Sequence, residues 1–178
     1  GDATRNIEVM CKTGPDSISV DENVNLAAAK DICDRYNITI GGNIPLTSVM
    51  LHGSQQDNMK CVIDLYDAVQ NRKNLIIAPG CDMPYDVPVE NAIAVPQAVL
   101  QEADVRGILE NYVAADDSVE VELPDYAHLS KPLMEVFTLD SATCAACTYM
   151  MNAALEAKRE FGEKIDVLEY KYTVKENI

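Results

Sequence analysis

Residues 74–91 read NLIIAPGCDMPYDVPVEN: a continuous apolar run, LIIAP, ends in a Gly-Cys turn, and beyond Pro88 a helical stretch runs from Val89 to Ala103. An apolar run without alternation fits a strand buried on both faces, as strands of a parallel sheet are. Pro88 stands in a position suited to the first turn of the helix that follows. The segment is therefore one strand–loop–helix unit.

The same order recurs toward the N-terminus. ITIGGNIP at 38–45 has a strand signal, and SQQDNMKCVIDLYDAV at 54–69 carries Met59, Val62, Ile63, Tyr66 and Val69 at helical spacing. Before it, DSISVD at 16–21, bounded by Gly14-Pro15, reads as a strand, and NLAAAKDICDR at 25–35 as an Ala-rich helix. Three successive units of this kind predict an α/β fold with a parallel sheet and helices outside it, too few to close a (β/α)8 barrel. Loops after strand C-termini carry the chemistry in such folds, which directs attention to Asp21, Glu22, Gly41 to Asn43, and Gly80 to Asp86. Gly41, Gly42 and Asn43 read as a tight rim turn where backbone can approach a planar ligand. Asp21 is placed either to face a pocket or to cap the helix at 25–35.

The pattern changes after residue 106. From 107 to 131, Asp116, Asp117, Glu120 and Glu122 are interleaved with Pro124, which marks a linker. PLMEVFTLD at 132–140 is then a strand, TCAAC at 143–147 a turn, TYMMNAALEAKREFG at 148–162 an amphipathic helix ended by Gly162, and IDVLEYKYT at 165–173 a second strand. The expected organisation is thus 1–106, a linker at 107–131, and a βαβ module at 132–178.

Composition narrows the class. The chain has 178 residues, 48% hydrophobic and 24% charged, which suits a packed core rather than disorder. A net charge of −15 excludes duplex nucleic acid and anionic membrane as natural partners. No apolar run reaches the ~18–20 residues needed to span a bilayer, and GDATRNIEVM has no signal-peptide order, so a soluble cytoplasmic protein is expected.

Six cysteines stand at 11, 33, 61, 81, 144 and 147. Cys11, Cys33 and Cys61 fall in helical patterns and read as apolar core fillers. Cys144 and Cys147 form a CxxC pair at a helix N-terminus, where free N–H groups and the helix dipole stabilise a thiolate and the spacing permits a disulfide. Cys144 would be the attacking thiol and Cys147 the resolving one. Half of a Cys₄ zinc site and a pair of inert core thiols are the competing readings. Cys81 sits at a strand's C-terminal rim, a place suited to zinc ligation by a soft thiolate, although one Cys is not a site. No phosphate-loop pattern occurs.

The residues APGCDMPYDVPVEN resemble the last-strand signature of the uroporphyrinogen decarboxylase family, in particular its methylcobamide:thiol methyltransferase branch. GGNIPLTSVMLHGSQQDNMKCVIDLYDAV and TGPDSISVDENVNLAAAKDI resemble the two preceding βα units, so the likeness spans roughly residues 1–103. It implies the C-terminal units of a (β/α)8 TIM-type barrel and Cys81 as a zinc ligand; Asp21 and Asn43, from their rim positions, are the residues expected near a corrinoid. Zinc, a methylcobamide on a corrinoid protein, and a small thiol acceptor are the implied cofactors and partners. The family's other zinc ligands lie on a His-x-Cys motif, and the likeness implies that the chain begins just past it. His52 matches a family position that opens a surface loop, not a ligand, and His128 has no assigned role.

The segment VFTLDSATCAACTYMMNAALEAKREFGEKIDVLEYKYT resembles the first βαβ unit of thioredoxin- and glutaredoxin-like proteins, which implies a partial thioredoxin-like module ending before the cis-proline strand of that fold. The expected activity is methyl transfer between a methylcobamide and a thiol, with the CxxC module as accessory. Decarboxylation of a tetrapyrrole, as by the family's founding members, and a non-catalytic thiol redox or binding module are the alternatives.

Overall fold

The computed structural model describes residues 1–114 and 122–177, and the chain divides into two compact units, Gly1–Ala115 and Asp116–Ile178. In the first unit the order is α1 (Ile7–Lys12), β1 (Ser17–Ser19), α2 (Leu26–Arg35), β2 (Thr39–Ile44), a π-helical turn (Leu46–Leu51), α3 (Gln55–Ala68), β3 (Leu75–Pro79), α4 (Val89–Leu100) and α5 (Glu102–Leu109). The strands form an open parallel sheet, β1-β2-β3, with Ser17 opposite Thr39 and Ile40 opposite Leu75.

Local chemistry sets the helix starts. The Asn25 side chain accepts from the Ala28 N–H at 3.0 Å and caps α2, so Asn25 and not Asp21 has the capping role. Ser54 and Asp57 form a reciprocal capping box at the start of α3. One core gathers Ile7, Cys11, Ile18, Val20, Leu26, Ala29, Cys33 and Ile40, and another Ile44, Met50, Met59, Val62, Ile63, Ala94, Ala98 and Val105. Each large apolar side chain fully buried there contributes about 1.5–3 kcal/mol.

Three expectations change. Gly41, Gly42 and Asn43 are strand, not a rim turn, because β2 is central and these residues pair with Ser19 on one side and with Ile76, Ile77 and Ala78 on the other. The helix from Val89 does not run through to Ala103: Gln101, at φ −127° and ψ 41°, breaks it, and α5 starts afresh at Glu102 and inserts Val105 into the core. Strand β3 is less buried than its apolar run suggested, with Ile76 54% exposed, because β3 is an edge strand of this sheet.

The second unit contains β4 (Leu133–Thr138), α6 (Ala145–Phe161) and β5 (Asp166–Lys171). The two strands pair in parallel, Leu133 with Asp166 through Thr138 with Lys171, so α6 is the crossover between them. Val136, Thr138, Cys147 and Ala154 are its buried residues. Among the described residues, no helix is long and apolar enough to cross a membrane.

Candidate functional site

The C-terminal ends of the parallel strands form a built rim. Asn43, at the end of β2, is 5% exposed, and its side-chain amide donates to the carbonyls of Asp21 (3.0 Å) and Val24 (2.6 Å). One buried side chain thus holds the whole β1–α2 loop. The Asp21 carboxylate accepts from the backbone N–H of Asn23 at 2.9 Å and from its side chain at 2.6 Å. The backbone bond comes first among the causes that hold its pKa below the ordinary value.

Gly42 has φ +142°, and a Cβ there would lie 2.7 Å from the Val20 carbonyl oxygen, so only glycine lets β2 approach β1 this closely. Glu22, on the β1 loop, reaches over β2: its carboxylate accepts from the Leu46 N–H at 2.7 Å. On the far side, Gly80 at the end of β3 donates its N–H to Ile44 O at 3.0 Å. A Cβ at Gly80 would come within 2.7 Å of the Glu22 N. The loops after β1 and β3, which are not neighbouring strands, therefore meet above β2, and the residue that follows Gly80 on the β3 loop is Cys81.

Cys81 is exposed, whereas Cys11 and Cys33 are 2% and 0% exposed with their sulfurs 3.8 Å apart. Burial pushes the Cys33 thiol up to about 12 and the Cys61 thiol up to about 11. Cys61 lines a cavity of about 310 Å³ beneath the rim with Glu22, Asn25, Asn43 and Pro45.

The β2–α3 connection is the part of the rim that sequence reasoning missed. Its π-helical turn is clasped by two buried amides: Asn58 donates to Val49 O and Ser54 O, and Asn91 to Met50 O and Gly53 O, all at 2.8–2.9 Å. A buried Asn on each of α3 and α4 was the available signal. His52 ends this turn, its backbone N–H donating to Thr47 O.

The structure brings Asp21, Glu22, Asn43 and Gly80-Cys81 to one rim. It does not bring His52 into a metal cluster with Cys81: among the described residues, no three His, Cys, Asp or Glu side chains converge in a metal-binding group. The donors among the described residues therefore do not by themselves complete a zinc site around Cys81.

In the second unit, Cys144 is the N-cap of α6, its sulfur accepting from the Cys147 N–H at 3.4 Å. Cys147 is 9% exposed, and burial leads the causes that raise its pKa. The Thr148 hydroxyl donates to Ser141 O and Cys144 O. Glu169 on β5 accepts from the Thr138 hydroxyl at 2.6 Å and the Ser141 N–H at 3.0 Å, anchoring the loop that leads into the pair. His128 is exposed and paired with Asp125 at 2.7 Å, away from any cluster of ligating side chains among the described residues.

A family model described as uroporphyrinogen decarboxylase (URO-D) matches residues 1–101. No curated protein matches the chain.

Proposed function

The chain belongs to the uroporphyrinogen decarboxylase family, and from that premise we propose that its first unit is the C-terminal part of a (β/α)8 barrel that moves a methyl group between a methylcobamide and a thiol. The observation that supports this reading is Cys81. It is the exposed thiol of its unit, directly after the β3 C-terminus, on a loop fixed by the Gly80–Glu22 approach.

A zinc ion in such a reaction stabilises a thiolate nucleophile as a Lewis acid. Cys81 would give it one soft ligand, and the remaining ligands would come from outside the donor set described for this chain. Asp21 and Asn43 would act toward a corrinoid by shaping the rim loop, since the Asn43 amide is committed to backbone carbonyls. A corrinoid protein and a small thiol are the partners this reading requires.

For the second unit we propose a dithiol–disulfide pair in a thioredoxin-like module. The Cys144 thiolate attacks a substrate disulfide and expels one thiolate. Cys147, losing its proton, then attacks the Cys144 sulfur and releases the second thiol. The pair is oxidised by two electrons and the substrate disulfide is reduced by two. The asymmetry of a half-buried N-cap sulfur and a more deeply buried partner supports that order of attack.

The test uses the complete barrel, with and without Cys81→Ser. Loss of bound zinc together with loss of methyl transfer from methylcobalamin to a thiol is expected of the variant. Equal metal content in the two proteins sinks the ligand assignment. Release of CO₂ from uroporphyrinogen by the wild-type protein moves the reading to the decarboxylases.

A further inference from the structure

The face of the second unit's sheet that bears Glu135 and Phe137 carries a cluster in which the cysteines take no part. Phe137 and Tyr170 are register partners on β4 and β5, and their rings stack with centroids 5.1 Å apart and planes 16° apart. Glu135, two residues before Phe137, projects from the same face of the sheet. It accepts from the phenols of Tyr126 at 2.8 Å and Tyr170 at 2.9 Å. These four residues, with Leu123, Glu176 and Asn177, line a cavity of about 270 Å³. Among the described residues that line it, none is Lys, Arg or His.

We propose that this cavity binds an alkylated ammonium group, packed on the aromatic wall of Tyr126, Phe137 and Tyr170 and neutralised by Glu135 and Glu176. The choice follows by elimination. An anion meets two carboxylates and no compensating cation. A bare Mg²⁺ or Ca²⁺ ion requires a shell of oxygen ligands, and here most of the wall is ring and alkyl carbon. A neutral apolar molecule would cover the rings but leave carboxylate charge to be desolvated without compensation. A cation clothed in methyl groups satisfies both parts of the wall, because the two carboxylates supply its counter-charge and its methyls pack on the ring and alkyl carbon. Both phenol hydrogens point at Glu135, so the hydroxyls are engaged in holding the rings in position. Tyr126, pushed up to about 12 first by its bond to Glu135, stays neutral at physiological pH.

The test compares choline with 3,3-dimethylbutan-1-ol, the same shape with carbon in place of the nitrogen, by NMR titration of the full 178-residue chain. Choline is expected to shift the ring signals of Tyr126, Phe137 and Tyr170 saturably, and the neutral alcohol to bind about tenfold more weakly or less. Glu135→Gln, which keeps an acceptor for both phenols, is expected to weaken choline binding about tenfold while the remaining spectrum is unchanged. A trimethyllysine peptide run beside choline distinguishes a protein tail from a small metabolite as the source of the group, and saturable ring shifts with either support the site. Equal affinity for choline and the neutral alcohol, or no shift at these rings with any of the cations, overturns it.

Discussion

Gly80 and Glu22 approach so closely that a Cβ on Gly80 would sit 2.7 Å from the Glu22 nitrogen, although their strands are separated by β2. The atom met is backbone, which cannot swing aside as a side-chain tip can. Gly80→Ala is therefore expected to cost about 1–3 kcal/mol by overpacking and to change the reaction rate of Cys81 with a thiol reagent. Denaturant melts and a labelling time course check both. A variant identical to wild type in the two measurements would mean that the contact does not fix the rim.

Thiol reactivity should sort the cysteines by burial and pKa, since the thiolate is the nucleophile. At pH 8, pulse labelling with iodoacetamide followed by mass spectrometry should find Cys81 modified early. Cys33, pushed up to about 12, and Cys61, to about 11, should react only when the chain is unfolded. Mild oxidation should join Cys144 to Cys147 with the loss of two hydrogens. A chain in which that disulfide never forms has no redox pair there.

Glu169 gives the second unit a pH dependence of known sign. Burial alone would raise its pKa, but hydrogen bonds from Thr138 and Ser141 outweigh it, so its folded value lies below the ordinary 4.5. A depressed carboxylate stabilises the fold above its unfolded pKa, and this contribution is lost as pH falls below 4.5 through the folded value. Glu169→Gln, which cannot ionise, should flatten that part of the acid limb in a pH series of thermal melts. An acid limb identical to wild type would show that Glu169 is not the group responsible.

Lys30 and Asp34, one turn apart on α2, form an ion pair in which the lysine side chain is 1% exposed and the aspartate 28%. Removing the aspartate leaves a buried ammonium without its counter-charge, so Asp34→Ala should cost about 3 kcal/mol or more. Lys30→Met should be neutral or stabilising, because an apolar chain of similar length fills the same space without desolvating a charge. Chemical denaturation of the two variants gives the comparison, and an equal loss in both would contradict it.

The strands and helices were legible because their signals are local: LIIAP is a continuous run, and Gly162 ends α6 with φ +58°; the caps were not, since Asp21 was weighed for the role that Asn25 takes at α2, and Ser54 drew no notice at α3. What was not legible depends on partners distant in the chain. Gly41-Gly42 reads as a turn until two neighbouring strands are seen to hold it extended. The break at Gln101 follows from Val105 docking into a core built by α3 and α4. Of the rim, Asn43 was singled out from an expected turn that the structure shows as strand, and Asp21 and Cys81 from their positions after strands. Glu22 drew notice for the same reason, but its role as a strap across β2 depends on Leu46 and Gly80, which sequence spacing cannot bring together.

The clasp on the β2–α3 turn separates shape from surface. Four carbonyls of the segment from Val49 to Ser54 are taken by amides that belong to α3 and α4, so the outline of this part of the rim is dictated by helices on the outside of the sheet. Ser48, exposed in the middle of the turn, has no part in that clasp. A designer could therefore rewrite what this stretch shows to a visiting molecule, one outward residue at a time, without renegotiating its backbone.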